Sequence, residues 1–180
     1  MGVTLQVNVG VGISNKPETM FGAPFHLSGD LVTKLDNRWQ VAVECGVLDF
    51  RDAAYPDDKI GLIFSGYSRY QHQYVGLRVG RSLLKAGHPH QLTVLGGADY
   101  LLVIEPNIKV SSGFLAGKSF DYIYKRFLNV PLQLSYSLSL REDGMTELTI
   151  GGRWNVNAYH SFPTITVGFV LPFYARRIYQ

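Results

Sequence analysis

The stretch VTLQVNVGVGI, residues 3–13, alternates without exception: Val3, Leu5, Val7, Val9, Val11 and Ile13 interleave with Thr4, Gln6, Asn8, Gly10 and Gly12. Successive side chains on a strand point to opposite faces, so one face here is wholly aliphatic and the other small and polar. A half-buried strand of a soluble sheet and a strand of a membrane barrel both alternate in this way. They are separated by the kind of polar residue used and by whether the pattern recurs around a closed sheet.

It recurs seven more times, in segments of about ten residues, the length a tilted strand needs to cross a membrane. Phe25, Leu27, Leu31 and Leu35 oppose His26, Ser28, Asp30 and Lys34. Trp39, Val41, Val43, Cys45 and Val47 oppose Gln40, Ala42, Glu44 and Gly46. Val75, Leu77 and Val79 stand against Tyr74, Gly76, Arg78, Gly80 and Ser82, and Leu92, Val94, Ala98, Tyr100 and Leu102 against Gln91, Thr93, Gly97 and Asp99. In FLNVPLQLSYSLSL, Leu128, Val130, Leu132, Leu134, Tyr136, Leu138 and Leu140 share one face, with Asn129, Gln133, Ser135, Ser137 and Ser139 opposite. The last two segments set Leu148, Ile150, Trp154 and Val156 against Glu147, Thr149, Gly151, Arg153 and Asn155, then Ile165, Val167, Phe169, Leu171 and Phe173 against Thr164, Thr166, Gly168 and Val170.

A water-facing sheet surface is rich in long charged side chains. These polar faces are mostly Gly, Ser, Thr, Asn and Gln, which suits the crowded interior of a narrow barrel. The opposite faces form an aliphatic ring larger than a soluble monomer tolerates in water. In lipid that ring is what the solvent demands, because hydrocarbon cannot hydrogen-bond backbone groups and only a closed sheet pairs them all. The pattern predicts an all-β fold: an eight-stranded, antiparallel, up-and-down transmembrane β-barrel with its aliphatic side outward. A soluble lipocalin-like carrier is the inverted alternative, with the aliphatic face turned inward around a ligand.

Composition agrees. Charged residues make up 17% of the 180 residues, against a usual share of roughly 25%. No apolar run approaches the roughly 18 residues of a membrane helix, which excludes a helical membrane protein. The net charge of +3 is modest and its Lys and Arg are scattered, giving no basic stripe for nucleic acid. Cys45 is the only cysteine, so neither a disulfide nor a CxxC metal site is expected. Nothing divides the chain, and residues 1–180 read as one domain, with 174–180 as a C-terminal extension. Met1-Gly2 leads directly into the first strand without a secretory signal. Either the chain is cytoplasmic, or an initiator Met stands where a signal peptide was removed. The strands favour the second and an outer-membrane location.

Connections are short at LDNR (35–38), KAGHPH (85–90) and REDG (141–144), and longer at 14–24, 48–70 and 105–124, with 157–162 a short exception. Short turns on one rim and long loops on the other are the habit of bacterial outer-membrane barrels. Outward aromatics near strand ends, among Trp39, Tyr100, Tyr136, Trp154, Phe169 and Phe173, would form interfacial girdles.

TVGFVLPF, residues 166–173, resembles the C-terminal assembly signal of outer-membrane barrels, with Thr166, Gly168, Leu171 and Phe173 at its fixed positions. The resemblance implies that the barrel-assembly machinery reads this strand. FLNVPLQLSYSL is similar to a strand of the porin-family barrels of Bacteroidetes, and the whole chain resembles the eight-stranded OmpA transmembrane domain and OmpX. Lipid or lipopolysaccharide of the outer membrane and an external loop partner are the partners so implied. Those families vary in role, so the likeness does not fix function.

Three groups of residues are candidates for chemistry. His26, Asp30, Glu44, Arg78, Asp99, Glu147 and Arg153 point into a lumen that side chains of eight strands can just fill. Buried charges must be paired, so a structural plug is the expectation, and an ion gate or proton path the alternative. His26, Ser28 and Asp30 have the residue types of a hydrolase triad, which raises a lipid A-modifying enzyme as an alternative. Inward residues on one strand are about 7 Å apart, however, too far for direct triad bonds. The aromatic and basic sets YSRYQHQY (67–74) and SFDYIYKRF (119–127) read either as partner-binding loops or as strand ends rising past the membrane interface. YHS, residues 159–161, reads as loop composition. No Walker loop, GxGxxG or EF-hand series is present, and no cofactor or metal is expected. The best reading is a non-enzymatic outer-membrane barrel with a polar, filled lumen, serving envelope integrity or presenting loops to a partner.

Overall fold

The computed structural model describes residues 2–13, 20–35, 38–52, 69–84, 89–111, 117–140 and 146–175. They form eight strands: β1 (Gly2–Gly12), β2 (Met20–Lys34), β3 (Trp39–Asp52), β4 (Arg69–Ser82), β5 (His90–Ser111), β6 (Gly117–Ser139), β7 (Glu147–Asn157) and β8 (Phe162–Ala175). Each pairs antiparallel with its sequence neighbours, and β1 pairs with β8 to close the barrel. Closure removes both sheet edges, so backbone donors and acceptors along the wall find partners within the sheet. At the short-turn rim, Leu35 N–H donates to Trp39 O (2.9 Å), Leu83 N–H to Leu92 O (2.7 Å) and Leu140 N–H to Thr146 O (2.8 Å). The turn tips at 36–37, 85–88 and 141–145 lie outside the described residues.

The period of two decides the facing. Val9, Val43, Leu77, Leu132, Ile150 and Ile165 are outward and exposed, while Asn8, Glu44, Arg78, Ser135, Thr149 and Thr164, on the alternate face, are buried inside. A lipocalin-like carrier requires the reverse, and the structure overturns that alternative. Cys45 is free on the exposed outer face. Outward Trp39 lies under the Arg81 guanidinium, 5.5 Å from its ring centroid, and Tyr136 bonds His90 at 2.5 Å. Both pairs sit at the short-turn rim.

Five strand boundaries differ from the sequence reading. β2 begins at Met20 rather than near Phe25, β3 runs to Asp52, and β8 runs to Ala175, which takes 174 and 175 out of the expected extension. The largest difference is the expected loop at 105–124, where β5 continues to Ser111 and β6 starts at Gly117. Of that loop only 112–116 lies outside the described residues. The β5–β6 ladder lapses at Gly97 and Ala98, opposite Val130 and Pro131. Proline has no N–H to give a ladder, so the pairing thins where Pro131 is buried.

The lumen also departs from an all-polar filling. Toward the long-loop rim, Leu48, Phe50, Leu101, Val103 and Phe162 form an apolar cluster with Tyr74, and Tyr70, Phe127 and Tyr159 pack against it. Phe50 and Phe162 meet edge to face with centroids 5.4 Å apart, and His72 lies 4.6 Å from Phe50. Beyond the level of Tyr74 the barrel interior is mainly apolar and aromatic, with His72 and His160 packed among the rings.

Candidate functional site

Four charged side chains from four strands meet at mid-height of the lumen. Glu44 (β3) and Asp99 (β5) face Arg78 (β4) and Arg153 (β7), and each acid touches both bases. Arg78 donates from Nε to Glu44 Oε2 at 2.5 Å and from Nη1 to Asp99 Oδ1 at 3.0 Å. Arg153 donates from Nη1 to Glu44 Oε1 at 2.6 Å and from Nη2 to Asp99 Oδ2 at 2.7 Å. Two acids and two bases, all nearly solvent-free, leave no net charge in the quartet. Arginine's planar fork suits this bridging, since one guanidinium serves two carboxylates.

Tyr74, on the polar face of β4, completes the group. Its hydroxyl donates to Glu44 Oε1 (2.5 Å) and accepts from Arg153 (2.8 Å), whose guanidinium also lies 4.5 Å from the ring centroid. His26 Nε2 is 2.6 Å from the same oxygen. Because the phenol proton goes to Glu44, His26 must be the donor there, which places its hydrogen on Nε2. Asn129 donates to Asp99 (2.8 Å) and to Asn155 (3.3 Å). Asparagine carries both a donor and an acceptor, and so links the charged layer to neutral neighbours.

Below the quartet, toward the short-turn rim, Asp30 Oδ2 accepts from Asn8 Nδ2 at 2.8 Å, and Asn8 also donates to Ser28 Oγ at 3.2 Å. Glu147 pairs with Lys34 at 3.0 Å near the mouth. The seven lumen charges therefore fall into three groups: the quartet, with His26 joined through Tyr74; Asp30 with Asn8; and Glu147 with Lys34. The triad residues are not assembled. His26 bonds Tyr74 and Ser28 bonds Asn8, with no bond between them.

The aromatic sets lie in strands. Residues 69–74 belong to β4 and 119–127 to β6, while Tyr67 and Ser68 fall outside the described residues. YHS is more than loop composition: Asn157 Oδ1 accepts from the N–H groups of Tyr159 (3.0 Å) and His160 (2.8 Å), an Asx turn that folds both rings over the lumen. Tyr159 lies 5.3 Å from Phe127, and the Lys125 ammonium lies 5.6 Å from its ring. Burial, and a hydrogen bond to Glu105, raise the Tyr159 phenol above the usual tyrosine range. Of the assembly-signal positions, Thr166 and Gly168 face inward and Leu171 outward; nothing is described of the Phe173 side chain.

Tyr74, Asn8, Asn129 and Phe50 are the residues that sequence reasoning left out of the site. The signal for Tyr74 was a large ring on an inward face whose next residue is Gly76, opposite Gly46, where a Cβ would collide with its hydroxyl. A large ring needs such a vacancy across the ladder.

No protein-family model matches the sequence, and no curated protein matches it. Among solved structures, the chain is similar to a major outer-membrane protein of Thermus thermophilus (12% identity, covering 96% of this chain and 100% of that one, TM-score 0.59). It is similar also to Neisserial surface protein A (9% identity, 95% and 96% covered, TM-score 0.58). A third is Ail, the attachment invasion locus protein of Yersinia pestis (7% identity, 94% and 97% covered, TM-score 0.54). At these identities what is shared is architecture: the chain has the fold of the small eight-stranded outer-membrane barrels.

Proposed function

We propose that this chain is a non-enzymatic integral protein of the bacterial outer membrane, a closed barrel that carries the β5–β6 hairpin as a binding edge outside the membrane. The observation that carries the reading is the mismatch in strand length. β5 and β6 have 22 and 23 residues, whereas the other strands have 11 to 15. A tilted crossing needs about ten. β4 pairs with β5 only as far as Ile104, and β7 pairs with β6 only from Asn129. Beyond those points, among the described residues, the two strands pair only with each other. Tyr159 packs on the base of the hairpin at Lys125 and Phe127.

An unpaired strand edge is a template for another extended segment, with backbone bonds supplying affinity and alternate side chains specificity. Residues 105–127 carry four basic side chains against two acidic ones, which favours a partner strand with acidic flanks. The apolar outer wall supports membrane insertion, and the quartet with the aromatic cluster above it supports a lumen that is a plug.

Cell fractionation and surface proteolysis test the reading together. The protein should sediment with the outer membrane and show a heat-modifiable band. Protease added to whole cells should clip the hairpin while the barrel stays protected. Folded, monodisperse protein in plain buffer would overturn membrane insertion. An uncut hairpin on intact cells that becomes cleavable when the periplasm is opened would overturn the orientation.

A further inference from the structure

Within the described lumen, Asp30 is a carboxylate with no cation beside it. Glu44 and Asp99 are neutralised by Arg78 and Arg153, and Glu147 by Lys34. Asp30 has only the Asn8 amide, on Oδ2. Its Oδ1 is buried with no hydrogen-bond partner, and the residue is 7% exposed. A lone buried carboxylate costs several kcal/mol unless something compensates it.

The compensating space is next to it. Asp30 borders a polar cavity of about 40 Å³ between Glu44 and the Lys34–Glu147 pair, whose wall includes Thr4, Gln6, Gln40, Thr93 and Ser135. That is room for about three water-sized bodies. We propose that this cavity is a binding site for one small monovalent cation, of sodium or potassium size, held by Asp30 Oδ1 and by neutral amide, hydroxyl and water oxygens.

The donor chemistry selects this class. Calcium sites draw on several carboxylates, and magnesium demands a near-ideal octahedron. Zinc and its neighbours prefer His and Cys. No cluster of three His, Cys, Asp or Glu suited to a metal occurs among the described residues. One free carboxylate oxygen among neutral oxygens balances a single positive charge. The ion enters from the short-turn rim, and its way onward is blocked by the close-packed quartet, whose carboxylates are already taken up by Arg78 and Arg153. The site is a dead-end vestibule.

The test is thermal unfolding of the refolded protein in a zwitterionic detergent at constant ionic strength, with sodium, potassium or choline chloride. Sodium or potassium should raise the midpoint saturably, by about 3–5 °C at tenfold excess over half-saturation, and choline, too large for the cavity, should not. Asp30→Asn should abolish the response. Equal midpoints in all three salts, or a response surviving in Asp30→Asn, overturns the proposal. Should that variant not fold, infrared spectra of the unaltered protein decide. A protonated-carboxyl band present in choline and lost in sodium supports the site, and a band that persists in sodium shows that a proton neutralises Asp30 and overturns it.

Discussion

Single residues in this barrel differ sharply in what they tolerate, and the side they face explains why. A Cβ on Gly97 would meet the Leu77 carbonyl and stand 3.0 Å from Arg78 Cα, both backbone of the neighbouring strand, whereas one on Gly152 meets nothing within 4 Å. Gly97→Ala should therefore destabilise the barrel by about 1–3 kcal/mol, with Gly152→Ala within about 0.5 kcal/mol of the parent, in urea titrations of refolded protein. Arg153→Ala leaves Glu44 and Asp99 with one base between them, and breaking a buried pair in this way costs about 3–5 kcal/mol. The same titration reads that loss. Tyr159 supplies a pH dependence. Its folded-state pKa is raised, so its contribution is complete below the unfolded value near 10 and is lost as pH rises above it. Tyr159→Phe should flatten the fall in stability above about pH 10, and ultraviolet titration should find the same number of tyrosines ionising with the exposed ones in variant and parent, because Tyr159 is not among them.

At the scale of elements, the β5–β6 hairpin is the part whose form the sequence misstates. Outward and inward positions were legible in β6 from Leu128 to Leu140, where apolar and polar residues alternate. Above that, DYIYKRF has no clean period of two, because neither face meets a uniform medium once the strand rises past the rim. In β5 the run LLVI (101–104) is apolar on both faces for the opposite reason. Leu101 and Val103 enter the apolar cluster while Leu102 and Ile104 point outward, half-buried. Shortening the hairpin, by joining Ile104 to Tyr124 through a two-residue turn, should leave heat-modifiability unchanged and remove the surface-clipped fragment. Loss of the folded band would show that the hairpin is part of the barrel's stability.

For the molecule as a whole, two barriers lie in series along the axis: the charged quartet, and the Phe50–His72–Phe162 cluster above it. Opening one leaves the other, so planar-bilayer recordings should show no steady conductance from the parent or from Glu44→Gln/Arg153→Gln. A variant that also carries Phe50→Ala and Phe162→Ala should conduct. A large steady current from the parent would contradict the plug.

Alternation alone determined the eight strands, the facing along their membrane-crossing stretches and the closed, inside-out character of the barrel, because a period of two is a local property that neighbouring residues enforce on one another. The seven charged residues it put on the inward face are buried. Which charge meets which, that Tyr74 joins them, that Asp30 is left over and that the upper lumen is apolar were decided only by the barrel's closure and register. Those contacts join positions as far apart in sequence as Glu44 and Arg153, and no local pattern carries the distance between two strands on opposite sides of a cylinder.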